Sequence, residues 1–567
     1  MKKIVSVFLV LALLLGALAT FSACGEDEES KMNGKDTTTE TSTETSGETE
    51  TEPDDTQGEP QETETASGDD FLGSGQPGSD VFGGGQPGSG QPETQKPGSG
   101  TDWADRQILT GTVLEDPAIE IPQTIFTILG PGAADNEWAC RDLYADESSD
   151  DPVQSAVYRR QSLIEARLGI RIKYVGSSRS TITAMVQADV LAGVSSFDLI
   201  LAPFADCLNM AQNSHILEIN EQNFPYLDLS GGSWDRSFLE DTFFGGRNYF
   251  AAGDITTTDN DGTWALLFNK TVAEDYDMGA TYLYDLVKTG NWTVDELLRL
   301  ARMYGYSDLN KNGKTDPKDR FAIASSDDMI TGLFFSLGGR AIAKNGQNKP
   351  VFVLNSPYNY EVFPKVVELF FRGNGNVFSY NDYTDEDPMG YPLSQSMFSE
   401  GRALFYSGVM QTALRLRDMQ VDFGILPMPK LNADQVNYTT FTVSEALLCV
   451  CFEKSLTEER AEIAGFVTQA LAELGTKLLQ TAYYESAVTS VGLRDEDSFE
   501  MLPIIFEGRV CDIGYASNEF FTGFWTDGVM QSVRSGSANT SSIENTWAGR
   551  VNNRLNRMIQ RLERNTD

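Results

Sequence analysis

TIFTILGPG at residues 124–132, VQSAVYRRQSLIEARLG at 153–169, IRIKYV at 170–175, TITAMVQADVL at 181–191 and FDLIL at 197–201 together decide the fold. Residues 124–129 have strand composition and end in Gly130-Pro131-Gly132, which predicts a strand closed by a turn. Residues 153–168 read as a helix that stops at Gly169. Residues 170–175 read as a second strand and 181–191 as a second helix. The largely apolar run 197–201 suits a strand covered on both faces. Strand, helix, strand, helix, strand predicts a parallel α/β sheet. Ligands meet such sheets at the loops beyond the carboxyl ends of strands, here residues 130–138 and 203–206.

Further along, NWTVDELLRLARMYGYSDLNKNGKTDPKDRFAIAS occupies residues 291–325. Thr293 followed by Glu296 forms a capping box, in which each side chain satisfies a backbone N–H at a helix start. Leu297, Leu298, Leu300 and Ala301 share one helical face, and the pattern stops at Gly305. The next twelve residues have the spacing of a calcium loop. With Asp308 as position one, side-chain oxygens recur at Asn310, Asn312, Asp316 and Asp319, and Gly313 stands at the sharp turn. The Lys314 carbonyl supplies the remaining protein oxygen. Calcium is the expected structural ion, although Asp319 is shorter than the usual last-position glutamate. The competing reading is a solvated turn rich in Asp and Asn, which needs no ion. Residues 321–324 read as a strand, so the ion would pin a loop and open no helix pair.

The chain starts with Lys2 and Lys3, an apolar run over residues 4–19 and then Thr20-Phe21-Ser22-Ala23-Cys24. This describes a secretory signal of residues 1–23 that resembles the bacterial lipobox, in which Cys24 is lipidated and holds the mature chain to the membrane. Phe21 departs from the usual leucine. Residues 24–104 form a tether. Its composition of Glu, Asp, Thr, Ser, Gly, Pro and Gln buries too little apolar surface to order itself, and coil statistics give a reach of about 50 Å. That length suits a domain working in the cell wall of a Gram-positive bacterium.

The tether carries −16 of the formal net charge of −40, and the remainder after Gly100 carries −26. Such a surface excludes nucleic acid and disfavours anionic lipid and polyanionic ligands, leaving neutral or cationic solutes. Besides Cys24 there are Cys140, Cys207, Cys449, Cys451 and Cys511, with no CxxC spacing. Cys449-Val450-Cys451 lies in an apolar run, so buried free thiols are expected. The single histidine, His215, argues against histidine-based triads and two-histidine metal centres, and neither GxSxG nor GxxxxGK[ST] occurs.

The middle of the chain carries a family resemblance. Leu227-Asp228-Leu229-Ser230, Ser233-Trp234-Asp235, the run GGRNYFAAGDI at 245–255 and WALLFNK at 264–270 stand in order, followed by FSEGRALF at 398–405 and DFGILPMPK at 422–430. In that order they resemble family 1 extracellular solute-binding proteins, the lipoprotein receptors of bacterial ABC importers of sugars and oligosaccharides. Tyr483-Tyr484-Glu485 is similar too. The resemblance covers nearly everything after residue 120 and implies a periplasmic-binding-protein-like α/β fold with two lobes, an interlobe ligand cleft and hinge crossovers. The lobes would comprise about 115–252 with 445–480, and about 259–437 with 490–567. Length alone suggests separate cores for them. Residues 253–258 read as the first crossover, 438–444 as the return and 480–490 as a third, with small residues absorbing hinge rotation. Helices are expected over 456–471, 501–508 and 546–562.

An oligosaccharide rests its C–H face on aromatic rings and pairs its hydroxyls with polar side chains. The candidate ligand residues are Trp264 with Asp259, Asn260 and Asp261, then Trp525, Asp206, Trp138 and Tyr438. Trp234 and Trp292 are assigned to the core. The expected partners are a carbohydrate and ABC permease subunits, with the chain a monomer and no enzyme. Two rival classes remain from sequence. A surface glycoside hydrolase needs only two carboxylates flanking a bond, and a calcium-braced carbohydrate adhesion module needs a flat aromatic patch in place of a cleft.

Overall fold

Strands β1 (Ile125–Pro131), β2 (Arg171–Ser177) and β3 (Leu199–Pro203) form where the alternation of strand and helix places them. They belong to a computed structural model that describes residues 103–132, 142–145, 149–383, 391–416, 422–490, 496–517 and 523–564. Cys24, the tether through residue 102, and Trp138 with Cys140 lie outside the described residues. β1 pairs in parallel with β2 and with β3. The intervening helix Pro152–Leu168 starts at Asp151, whose side chain accepts from the Gln154 N–H, and ends at Gly169 with φ 69°. That left-handed stop is why a glycine stands there.

The second sheet contains β4 (Trp264–Asn269), β5 (Phe321–Ser325), β8 (Val377–Ser379), β9 (Ala403–Val409) and β10 (Phe423–Leu426) in the order β10-β4-β9-β5-β8. A hairpin of β6 (Ile342–Lys344) and β7 (Pro350–Phe352) stands apart from it. The chain then returns to the first sheet as β11 (Leu448–Cys451), which pairs antiparallel with β3. Two α/β lobes result.

Three segments run between the lobes and pair with each other. Residues 262–264 lie against 440–443, with Trp264 N–H donating to the Phe441 carbonyl and Val443 N–H to that of Gly262. Thr440 also bonds residues 508 and 510 on its other side. Gly262 is obligatory here, because a Cβ would strike that of Ala446. The third crossing thus falls later than 480–490. The helix Thr481–Ser490 still packs on Pro152–Leu168 of the first lobe, and Glu496–Glu507 is the first element to reach β10. Nor is the threonine-rich first crossing loosely held. Buried Arg160 donates to the carbonyls of Ile255, Leu471 and Asp142, and the Asp142 carboxylate accepts from the Thr257 N–H and the hydroxyls of Thr257 and Thr258.

The expectation of separate cores also needs correction, because one apolar cluster runs through both lobes on the crossing side. The closing helix Thr540–Arg564 explains it. Its buried stripe of Trp547, Val551, Leu555, Met558 and Leu562 packs on the second lobe and also reaches the helix Phe204–Gln212 of the first. Trp234 and Trp292 are core residues, and Cys207, Cys449, Cys451 and Cys511 are buried free thiols.

Beyond β11, Glu453 is fully buried, accepting from Ser195 Oγ at 2.9 Å while its Oε1 has no partner among the described residues. Burial raises its carboxyl from the ordinary 4.5 to about 8. The folded chain therefore holds a proton that the unfolded chain releases, so stability is full below pH 4.5 and declines as pH rises through 8. Glu453→Gln should flatten this slope and stabilise the protein by about 1–3 kcal/mol at alkaline pH, read from melting temperatures across the range. An unaltered slope would contradict the buried acid.

Candidate functional site

β5 ends at Ser325, and Ser326-Asp327-Asp328 leads directly into the helix Asp328–Ser336. These polar residues thus stand at the carboxyl end of a strand with parallel neighbours on both sides, β8 and β9. A cavity of about 390 Å³ opens there. Asp327, Asp328 and Asn381 line its floor, Val443, Ser444 and Glu445 of the return crossing form one wall, and Tyr515, Trp525 and Arg534 form another. The cavity therefore touches the second lobe and a segment between the lobes at once.

Asp327 is saturated. It accepts from Arg534 Nη1 at 2.6 Å, Arg372 Nη2 at 3.0 Å and Ser379 Oγ at 2.7 Å, while its own N–H donates to Asn381 Oδ1. Asp328 accepts from Ser326 Oγ at 3.2 Å. Burial pushes its carboxyl up to about 6, with the charges of Asp327 and Glu445 adding to the shift. The Tyr515 phenol is raised well above its ordinary value, by burial first and then by Asp328 and Glu445. The rings of Tyr515 and Trp525 meet at 83° with centroids 5.9 Å apart.

The residues chosen from sequence fare differently. Trp525 borders the cavity, yet its side chain is 1 % exposed, its Nε1 donates to the Gly514 carbonyl, and Phe334, Phe335 and Phe524 surround it. It backs the wall and offers no stacking face. Trp264 is core: it stacks on Phe441 and donates to Ser407 Oγ at 2.8 Å. Asp259 and Asn260 are buried in the crossing, where Arg509 Nη1 donates to both, at 2.7 and 2.9 Å, and Asn260 Nδ2 donates to Gln480. Burial raises the Asp259 carboxyl to about 6 against the pull of Arg509. Asp261 accepts from the Tyr483 hydroxyl. Tyr438 donates to the Val287 carbonyl under Lys430, away from the cavity. Asp206 lies in the first turn of the helix after β3 and pairs with Arg179 at 3.4 Å. Hydrophobic residues beside a crossing segment were thus core, because the crossing strands are themselves buried.

Sequence reasoning missed Asp327, Asp328, Glu445, Tyr515 and Arg534. A signal for the first two exists: they follow β5 at its carboxyl end, where ligands meet α/β sheets.

The helix Val294–Tyr304 and β5 flank the calcium-type loop as expected, with Thr293 accepting from the Glu296 N–H. Half of the capping box is missing, since the Glu296 carboxylate is held by Tyr282 and Arg299 instead. In the loop Asp308 Oδ2 accepts from Gly313 N–H at 2.8 Å, Asn310 and Asn312 direct their amides to Asp316 Oδ2, and Asn312 Oδ1 accepts from Lys314 N–H. Gly313 has φ 73°, as a sharp turn requires. Asp319, fully buried, accepts from the Tyr306 hydroxyl at 2.8 Å and from the N–H groups of Leu309 and Asp316. The loop's oxygens are thus taken up by its own hydrogen bonds, and among the described residues no group of three or more Asp, Glu, His or Cys side chains is arranged to hold a metal ion.

No protein-family model matches the sequence, and no curated protein matches it. Among solved structures, the chain is similar to the maltose-binding periplasmic protein MalE from Listeria monocytogenes in complex with maltose. The two are 13 % identical with a TM-score of 0.47, covering 78 % of this chain and 98 % of that one. The ABC substrate-binding protein Lmo0181 from the same organism, in complex with cycloalternan, is 10 % identical with a TM-score of 0.47, covering 76 % and 100 %. UgpB from Mycobacterium tuberculosis, in complex with glycerophosphocholine, is 16 % identical with a TM-score of 0.46, covering 77 % and 100 %. At such identities no ligand carries over to this chain.

Proposed function

We propose that this chain is an extracellular solute-binding lipoprotein that captures a carbohydrate, best an oligosaccharide, and delivers it to an ABC permease. The observation that carries the reading is the cavity at the end of β5, shared between one lobe and a crossing segment. A ligand seated there touches both sides of a hinge, so binding shifts the population toward one lobe arrangement, which a permease then reads. No bond is made or broken. Lipid on Cys24 and the tether after it would keep the domain at the outer face of the membrane. A thermal-shift screen against mono- and oligosaccharides tests this, since a ligand of the native state raises the melting temperature by mass action. A saccharide that shifts melting and is recovered uncleaved supports it. Released cleavage products would turn the reading toward a glycoside hydrolase.

The loop of Asp308, Asn310, Asn312, Lys314, Asp316 and Asp319 is proposed to hold structural calcium. With the ordinary extracellular affinity of about 10⁻⁴ to 10⁻³ M, millimolar calcium should stabilise by about 0.4–1.4 kcal/mol relative to chelator. Asp308→Ala should erase that difference. Calorimetric titration with no heat and no melting shift would return the segment to an ordinary turn.

A further inference from the structure

We propose that the cavity beside Tyr515 selects a saccharide that bears a protonated amine. The inference rests on the carbohydrate-binding reading and assigns the ligand its charge. Four charged groups, Asp327 and Arg534 in the lining with Arg372 and Asp382 behind them, cancel among themselves. Arg372 and Arg534 pair with Asp327, and Arg534 also reaches Asp382 at 3.3 Å. Two carboxylates are left over. Asp328 and Glu445 form no ion pair among the described residues, and the nearest side-chain donor to each is a serine hydroxyl, Ser326 at 3.2 Å and Ser444 at 2.9 Å.

Their surroundings make an uncharged partner a poor match. A carboxylate withdrawn from water is costly unless a cation or several donors replace its hydration. Glu445 is exposed at the cavity wall, whereas Asp328 is partly buried beside it, and the negative charges of Asp327 and Glu445 both act on Asp328. A hydroxyl placed here donates one hydrogen bond and leaves the like-charge repulsion in place. An ammonium donates up to three and cancels it. The partly exposed Tyr515 supplies an aromatic wall, and aromatic rings attract cations through their negative faces. The net charge of −26 after Gly100 draws cations toward the same domain. The 390 Å³ volume accommodates about one sugar ring with its substituents.

The test is calorimetric titration of the chain lacking its first 24 residues, near pH 6.5. The probes are glucosamine, N-acetylglucosamine and glucose, each as the monosaccharide and as its β-1,4 trimer. The glucosamine form is expected to bind at least about tenfold more tightly than both others, as a partly buried ion pair implies. Asp328→Asn should remove most of that preference. Glu445→Gln, on an exposed side chain that tolerates substitution, should reduce the preference in the same direction and covers the case in which Asp328→Asn does not fold. Neutral or N-acetylated forms binding as tightly as the amine would overturn the inference and spare the carbohydrate reading. No binding of any probe, with no melting shift from other saccharides, would overturn both.

Discussion

Replacing Arg509 by alanine is expected to lower folding stability by about 3–5 kcal/mol, the scale of stranding a buried charge. Arg509 is 14 % exposed and lies 2.7 Å from Asp259, itself 6 % exposed, with Asp235 at 3.7 Å. Asp254 adds a third negative charge to its surroundings. These residues come from the first and third of the segments that join the lobes and from the first lobe beside them, so one guanidinium neutralises the acids gathered there. Removing it leaves Asp259 buried and also strips Asn260 of a donor. Arg509→Met combined with Asp259→Asn should recover most of the loss, because a neutral pair no longer needs a counter-charge. Urea denaturation of the three proteins checks both statements. A loss below about 1 kcal/mol in the single variant would mean that water reaches the crossing.

Trp264→Ala should cost about 3–5 kcal/mol as well, by a different route. Its indole fills the space between Phe441, at 5.4 Å and nearly parallel, and Gly332, where a Cβ would press on the indole edge. Truncation opens a cavity in the core of the second lobe and removes the hydrogen bond to Ser407. Saccharide affinity of the folded fraction should stay unchanged, since Trp264 does not line the cavity at the end of β5. Intact stability with a tenfold affinity loss would restore Trp264 to the ligand site.

The parts of the molecule that local chemistry dictates were legible in the sequence. The parallel β1, β2 and β3 follow from alternating strand and helix patterns, and Gly169 and Gly305 end helices where their φ values are positive. The return crossing at residues 440–443 lies within the expected 438–444, whereas the first pairs with it at 262–264, just after the expected 253–258. Thr257 and Thr258 donate to Asp142, and Arg160 holds the Ile255 carbonyl, tertiary pairings that no spacing reveals. The site was less legible for the same reason. Glu445, Tyr515 and Arg534 converge from three distant segments, so no window of sequence contains them together. Asp327 and Asp328 follow β5 at its carboxyl end, where ligands meet α/β sheets, so their place is legible once β5 is known to lie among parallel neighbours. Trp264 and Trp525 are packed in the core, because a large aromatic beside a buried strand has more to gain from packing than from exposure.

Hydrogen exchange of the chain, with and without the saccharide that most raises its melting temperature, tests the central claim most directly. The ligand should slow exchange at residues 326–336, 443–446 and 513–516, the segments around the cavity, and leave the loop at 308–319 as it was. Protection confined to that loop, or spread evenly over the chain with no excess at these three segments, would contradict a ligand site at the end of β5.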